Sequence, residues 1–161
     1  MSADLLLRSS TVCVRDVYCR GSCGGRSGEE YSTATELVFP YRGTWVRHLG
    51  EDQAVAEANQ VLFFNAGEGY RVSHPVRGGD ASLSVAICPA LLLEMAPAEL
   101  LWDRATAGFR CHRLRIDGRT QALVAMLRHS LRQEIAEPLE AEGLVLTLVQ
   151  RALGPRTTHA A

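Results

Sequence analysis

The sequence contains no lysine: all seventeen of its basic residues are arginine, and eighteen acidic residues leave a formal net charge of −1. Such a chain has no excess of positive charge to attract a polyanionic backbone, on which non-specific nucleic-acid binding depends. Long apolar runs are also missing, since nowhere do about 18 consecutive apolar residues occur. The N-terminal run of three leucines is too short for the core of a signal peptide. We therefore expect a cytoplasmic chain that neither enters a membrane nor binds DNA by itself.

Motifs of the common catalytic sites are absent as well. There is no pair of carboxylates at a defined spacing and no G-x-S-x-G nucleophile elbow. The stretch GEGYRV lacks both the G-x-G-x-x-G spacing and the following helix that a phosphate loop needs. We expect that the chain is not an enzyme and that it requires no cofactor.

What the sequence does contain, over its first two thirds, is a series of short alternating segments. They read TVCVRDVYC, ELVFPYRGTWVRHLG, QVLFF, GYRVSHPV and ASLSVAIC. Strands about 8–12 residues apart, with glycine-rich turns and no helices between them, indicate an antiparallel sandwich or barrel. Pro40 and Gly43 interrupt the longest segment, and we expect a bend or bulge there.

After Cys88 and Pro89 the apolar period changes from two residues to that of a helix. ALLLEMAPAELLWD predicts a short helix broken at Pro97, and RTQALVAMLRHSLRQEI predicts a longer one. A last helix is predicted in PLEAEGLVLTLVQRALGP, with Pro138 near its start and Gly154 and Pro155 as its stop. Its apolar residues cover more than one face, so a second protomer is a candidate partner besides the barrel.

The histidines are the first candidate site residues. An alternation from Tyr70 to Val76 places Tyr70, Val72, His74 and Val76 on one face, so His74 is predicted to point inward. It is either a core histidine held by one hydrogen bond or a cavity residue that binds a polar group or a metal. His48, on the strand TWVRHL, either lines the same cavity or faces water.

The five cysteines are odd in number, which argues against a disulfide framework in a reducing compartment. Cys13 and Cys19 are about 20 Å apart if they share one strand, too far to bind one ion. Cys19 and Cys23 flank a glycine-containing turn, so their sulfurs could converge on zinc or another thiophilic ion. In the folded chain, His74 or Cys88 could supply a third ligand to this site. The alternative function is therefore a regulator domain that senses a metal or the state of its thiols through Cys19 and Cys23.

The runs LVFPYRGTWVRHLG and QVLFFNAGEGYRVSHPVRGGD resemble the effector-sensing domain of AraC/XylS-type bacterial transcription regulators. The resemblance covers about residues 12–90, is specific over 37–80 and extends loosely to the terminal helices. It implies an α+β fold in which a cupin-like antiparallel β-barrel sensor, residues 1–100, precedes a helical dimerisation segment, residues 101–161, in one structural domain. The implied ligand-binding residues are Trp45, His48, Tyr70, Val72 and His74.

The resemblance also implies a homodimer formed by the C-terminal helices, through Leu123, Leu127, Leu131, Leu144 and Leu148. The partner molecule would be a small-molecule or metal effector that biases two arrangements of the helices or of an N-terminal arm. The family's helix-turn-helix units are absent from this sequence, so DNA would be contacted only through a missing C-terminal domain.

Catalytic cupins carry a G-x5-H-x-H motif. Here Gly43 is followed by a single histidine, His48, in the corresponding strand, so a small metal-dependent cupin enzyme is the remaining alternative.

Overall fold

The computed structural model describes residues 1–21, 25–103, 105 and 107–154. Within these residues the chain forms twelve strands and three α-helices. The strands are β1 Ser2–Arg8, β2 Val12–Cys19, β3 Glu30–Tyr31, β4 Glu36–Arg42, β5 Trp45–Leu49, β6 Asp52–Ala56, β7 Gln60–Phe64, β8 Gly69–Ser73, β9 Asp80–Ile87, β10 Leu101–Asp103, β11 Gly108–Phe109 and β12 Arg113–Arg115. The helices are α1 Pro89–Met95, α2 Gly118–Arg132 and α3 Pro138–Leu153, with a 3-10 turn at Ala98–Leu100.

The strands form two main sheets that face each other. One has the order β1-β2-β9-β4-β7-β12 and the other the order β3-β8-β5-β6, while β10 and β11 form a separate hairpin. The ladders between these strands are antiparallel. From β2 to β9 the chain changes sheet at every step except from β5 to β6, which pair in the four-stranded sheet. The resulting strand order is that of a double-sheet jelly roll, the architecture to which cupins belong. The predicted fold class, a cupin-like antiparallel barrel followed by helices, is confirmed.

The predicted interruption at Pro40 and Gly43 is where the chain passes from one sheet to the other. The register of β4 against β9 shifts between Pro40 and Arg42, because proline has no N–H to donate to the ladder. Gly43 then takes a φ of 69°, and a side chain there would overlap the carbonyl of Gly79. The sequence predicted one interrupted strand, whereas the structure has two strands in different sheets.

Strand β9 shows how one strand serves two environments. Leu83, Val85 and Ile87 point toward the helices and are at most 5% exposed. Ser82 and Ser84 lie on the opposite face, toward the second sheet. The apolar face of the six-stranded sheet therefore packs on the helices, and its more polar face closes the barrel.

Two apolar cores result from this layering. The larger one joins the six-stranded sheet to the helices through residues such as Phe39, Leu83 and Leu148. The smaller one lies inside the barrel and consists of Val38, Trp45, Ala56, Leu62, Phe64 and Val72. The larger core supplies most of the buried apolar surface, so the fold does not depend on a completely filled barrel interior.

A cluster around Asp16 fixes α2 to the sheet. The Asp16 side chain is 1% exposed and accepts hydrogen bonds from Arg128 Nε at 3.0 Å and Arg132 Nη2 at 2.7 Å. The Tyr41 hydroxyl donates to its other oxygen at 2.5 Å. Arg132 also donates to Asp4 of β1 at 2.8 Å, so a single arginine joins α2 to both β1 and β2.

Both long helices predicted from the sequence exist, but not all of their leucines are free for a partner. Leu127 is 1% exposed and Leu148 is 0% exposed, because both belong to the larger core of this chain. This corrects the predicted dimer contact, from which these two side chains are removed. Leu123, Leu131 and Leu144 are partly buried against the same core.

The predicted helical segment, residues 101–161, also needs correction. It begins with β10, β11 and β12, and β12 pairs with β7 as the edge strand of the larger sheet. Helix α2 starts only at Gly118, where the Asp117 carboxylate accepts a hydrogen bond from the Thr120 N–H at 2.8 Å. No helix in the described part of the chain is both long and apolar enough to cross a bilayer.

Candidate functional site

A cavity of about 520 Å³ lies between the two sheets and opens beside β1. Strands of both sheets contribute to its wall, so neither sheet alone forms it. The lining consists of Met1, Ser2, Ala3, Arg15, Val17, Glu30, Glu36, Val38, Trp45, Phe64, Tyr70, Val72, His74, Asp80, Ser82 and Ser84. The space has the size of a pocket for a small organic molecule, for which about 300–1,000 Å³ is usual.

Four of the residues predicted to bind a ligand lie on this wall, and one does not. Trp45, Tyr70, Val72 and His74 line the cavity. His48 is outside the lining: it lies on the opposite face of β5 from Trp45, with its Nε2 2.8 Å from Ser73 Oγ. Burial, and then the charge of Arg26, lower the pKa of His48. Whether any of the four binds an effector stays a prediction.

His74 reaches the cavity although it is not part of a strand. Strand β8 ends at Ser73, and Val76, predicted to share the face of His74, is 50% exposed instead. The His74 side chain is only 5% exposed, and its Nδ1 lies 2.5 Å from Asp80 Oδ2. The carboxylate therefore fixes the orientation of the ring.

Three further residues of the wall, Asp80, Ser82 and Ser84, were not predicted from the sequence and lie on one face of β9. The Ser82 hydroxyl accepts a hydrogen bond from Trp45 Nε1 at 3.1 Å. The hydroxyl of Ser84, a residue that is 3% exposed, has no hydrogen-bond partner among the described residues. A period of two in polar residues, D-x-S-x-S, within an otherwise apolar strand was the signal that could have identified them.

Charged groups occupy the side of the cavity nearest β1 and β3. Arg15 forms an ion pair with Glu36, and Ser32 Oγ donates to the other Glu36 oxygen at 3.3 Å. Burial, and then the nearby Glu30, raise the pKa of Tyr70 to about 12. At neutral pH this phenol is therefore a protonated hydrogen-bonding group on the wall.

Of the predicted metal pair, Cys23 lies outside the described residues. Cys19 is 1% exposed and lies close to His74 and Asp80: one ligand atom from each residue falls within 4.8 Å of those from the other two. Cys88 follows the far end of β9, roughly 25 Å along that strand from the partner of Cys19. Cys88 therefore cannot complete the site, whereas His74 is in reach of it.

The metal centre of catalytic cupins does not fit the described residues. His48, the one histidine after Gly43 in the corresponding strand, points away from the cavity and bonds to Ser73. His74 is the only histidine among the described residues that line the cavity. A multi-histidine centre inside the barrel would need donors that these positions do not supply.

No protein-family model matches the sequence, and no curated protein sequence matches it either.

Several solved structures match about half of the chain. A cupin domain from Bordetella pertussis is 15% identical and matches 53% of this chain and 91% of its own, with a TM-score of 0.44. An RmlC-like cupin with a double-stranded β-helix fold, from Methanocaldococcus jannaschii, is 9% identical over 53% of this chain and 78% of its own, with a TM-score of 0.46. A DMSP lyase from Ruegeria pomeroyi is 14% identical over 53% of this chain and 46% of its own, with a TM-score of 0.47. Because one fold hosts many functions, the cupin architecture leaves both catalysis and its absence open for this chain.

Proposed function

We propose that this chain is the effector-binding domain of a bacterial transcription regulator of the AraC/XylS type. The observation that carries the proposal is the cavity of about 520 Å³ between the sheets. The buried Ser84 hydroxyl on its wall, which has no partner among the described residues, supports it further. A buried hydroxyl without a partner is costly, and a ligand that bonds to it gains specificity.

The composition of the wall suggests the chemistry of the effector. Val38, Trp45, Phe64 and Val72 supply an apolar surface, while Tyr70 and the β9 serines supply hydrogen-bonding groups. The lining contains three carboxylates, those of Glu30, Glu36 and Asp80, but one guanidinium, that of Arg15. The best fit is a small molecule with an apolar body and hydroxyl or amine groups, neutral or positively charged rather than anionic.

A route from the cavity to the helices passes through β1. Met1, Ser2 and Ala3 line the cavity. Asp4, the next residue of the same strand, accepts a hydrogen bond from Arg132 of α2. An effector that displaces or fastens the start of β1 changes the stability of this contact, and so shifts the population of two arrangements of α2.

The regulator would act as a dimer through the outer side of α2 and α3. Met126 is 48% exposed and Leu139 is 81% exposed, so apolar groups remain on this side after the helices have packed on the sheet. A second copy of the chain would cover them. Sedimentation across a concentration series tests this, and a mass that stays that of a monomer removes the dimer from the proposal.

Effector binding can be tested by thermal unfolding in the presence of small neutral and cationic compounds. Ser84→Leu fills the cavity, whereas Val55→Leu adds the same side chain on β6 at a residue that is 44% exposed. A compound bound in the cavity raises the Tm of the wild type and of Val55→Leu with increasing concentration, but not that of Ser84→Leu. Compounds that act equally on all three proteins would contradict the proposal.

The regulatory role needs a separate readout. In this experiment the chain is fused to a DNA-binding domain that represses a reporter gene only when it is dimeric. A stabilising compound is expected to change repression by the wild-type fusion and to leave the Ser84→Leu fusion unchanged. Binding in the cavity without any change in repression would argue for a binding or catalytic role instead.

A further inference from the structure

We propose that Cys19, His74 and Asp80 bind a thiophilic divalent cation of the zinc class. One ligand atom from each residue, a sulfur, an imidazole nitrogen and a carboxylate oxygen, lies within 4.8 Å of the other two. Thiolate, imidazole and carboxylate are the three protein donors of Zn²⁺. Magnesium and calcium prefer sites made of oxygen alone, so this donor set selects against them.

The jelly roll brings the three donors together from distant parts of the chain. Cys19 ends β2 and Asp80 begins β9, and the two residues are direct partners in the antiparallel ladder. Residues that face each other in a ladder project their side chains from the same side of the sheet. His74 follows β8, which belongs to the other sheet, so the donors meet where the two sheets approach each other.

All three side chains are largely buried. Cys19 is 1% and Asp80 5% exposed, and the His74 side chain is 5% exposed. A carboxylate in such a place needs a positive partner or several donors to offset its lost hydration. A bound divalent cation supplies that charge more fully than a single imidazole does.

The triangular arrangement also distinguishes a cation site from a nucleophilic Cys-His-Asp relay. In a relay the imidazole stands between the other two groups, with a hydrogen bond from each of its nitrogens, so sulfur and carboxylate are roughly 7 Å apart. Here the Cys19 sulfur and an Asp80 oxygen lie within 4.8 Å of each other. The donors converge on a common point, which a shared ion requires and a proton relay does not.

A close backbone contact holds two of the donors in place. Gly79 precedes Asp80 with a φ of 80°, and a side chain on it would lie 2.5 Å from the Cys19 carbonyl oxygen. Glycine is the residue that allows this conformation and this approach. The positions of Cys19 and Asp80 are thus set by the backbone before any ion binds.

Ion binding requires a small rearrangement. Around a tetrahedral Zn²⁺ the ligand atoms are roughly 3.3–3.7 Å from one another, as its bond lengths dictate. The 2.5 Å contact between His74 and Asp80 must therefore widen by about 1 Å. The hydrogen bond between His74 and Asp80 is exchanged for bonds to the metal: the proton that it holds leaves to solvent, and the neutral imidazole carries its remaining proton on Nε2. The Cys19 thiol likewise loses its proton to solvent and binds as thiolate.

The ion would face the effector cavity. His74 and Asp80 both line it, and the carboxylate of Glu30 on the same wall favours a cation there. Three protein ligands and one open position would let water, or a donor atom of an effector, complete the coordination. The inference itself does not depend on the proposed function, because metal binding is measurable with no effector present.

The experiment uses the full chain purified without an affinity tag, stripped with a chelator and titrated with Co²⁺. We expect one Co²⁺ per chain, an absorption band from sulfur-to-cobalt charge transfer, and loss of that band when one equivalent of Zn²⁺ is added. Cys19→Ser, His74→Gln and Asp80→Asn should each weaken metal binding by at least about 100-fold, since even loss of an outer partner costs 10–100-fold. Cys13→Ser and Cys88→Ser, which alter thiols elsewhere, should bind as the wild type does.

Circular dichroism and urea unfolding check that each variant is folded. If Cys19→Ser does not fold, His74→Gln decides, because glutamine keeps a hydrogen-bond donor for Asp80. Absence of stoichiometric binding by the wild type, or undiminished binding by a folded Cys19→Ser or His74→Gln, overturns the inference. A wild-type chain that binds no metal but is still stabilised by a cavity compound would contradict this site alone, so its failure is distinguishable from that of the proposed function.

Discussion

The indole N–H of Trp45 donates a 3.1 Å hydrogen bond to the hydroxyl of Ser82 across the inside of the barrel. Trp45 belongs to the four-stranded sheet and Ser82 to the six-stranded one, so this bond ties the two sheets together beside the cavity. Ser84, two residues further along β9, has a hydroxyl without such a partner in the part of the chain that the structure describes. The two serines lie on the same face of the same strand, but only the Ser82 hydroxyl forms a hydrogen bond between the sheets.

Ser82→Ala and Ser84→Ala should therefore differ in stability. Ser82→Ala leaves the buried Trp45 N–H without an acceptor, which should lower the free energy of unfolding by about 1–2 kcal/mol. Ser84→Ala removes an unpaired hydroxyl and should leave stability unchanged or raise it by up to about 1 kcal/mol. Urea unfolding followed by circular dichroism measures both variants. An equal loss in the two would show that the Trp45 bond does not contribute.

Asp16 and Asp4 offer a second comparison, because Arg132 donates to both. The Asp16 side chain is 1% exposed and that of Asp4 is 42% exposed. Asp16→Asn removes a buried charge from two arginines and should cost about 2–4 kcal/mol. Asp4→Asn affects an exposed pair and should cost less than about 1 kcal/mol. Chemical unfolding at neutral pH gives both values, and a cost at Asp4 as large as that at Asp16 would contradict the argument.

Gly79 and Gly78 separate backbone strain from steric overlap. Both have a positive φ, 80° and 102°, but only Gly79 packs closely, since a side chain on Gly78 would meet nothing within 4 Å. Gly78→Ala should cost about 1–2 kcal/mol from its conformation alone. Gly79→Ala adds an overlap with the Cys19 carbonyl and should cost at least about 3 kcal/mol. Thermal and urea unfolding of both variants test this, and equal losses would rule out the close contact.

Tyr41 should make stability depend on pH in the alkaline range. Burial, and then the hydrogen bond to Asp16, raise the pKa of Tyr41 from 10.0 to about 12. The unfolded chain therefore loses this proton first, so stability is full below pH 10 and falls as the pH rises from 10 toward 12.

Tyrosinate absorbance of the folded protein measures this titration. The pKa of Tyr70 is also raised to about 12, so the late-titrating signal should contain two tyrosines. Tyr41→Phe should remove half of that signal and reduce the alkaline loss of stability. An unchanged late signal in Tyr41→Phe would assign it to other residues.

Much of the architecture could be predicted from local patterns. The strand segments that became β2, β4, β7, β8 and β9 predicted an antiparallel sandwich or barrel, and the helical period predicted α2 and α3. The choice of a cupin-like barrel came from the family resemblance. Strand β6, Asp52–Ala56, was missed because its buried residues are the small Ala54 and Ala56 while its larger Val55 is 44% exposed, which gives only a weak apolar alternation. Strand β1 was missed because LLL resembles no alternation.

The candidate site was predictable only in part. Alternation placed Tyr70 and Val72 on one face, and both line the cavity. The face of His48 was undecided, since period two tells which residues of β5 lie together but not which face meets the other sheet. The same ambiguity allowed Leu127 and Leu148 to be predicted as dimer contacts, although both lie in the core of the chain.

The sequence by itself determined the order and type of most elements and the turn at Gly43, because these depend on neighbours within a few residues. Only the tertiary structure decided that Cys19 stands opposite Asp80 and that His74 joins them, since ladder pairing and the packing of two sheets connect residues that are remote in the chain. Local periodicity carries no information about such contacts, and the cavity and the proposed metal site both consist of them.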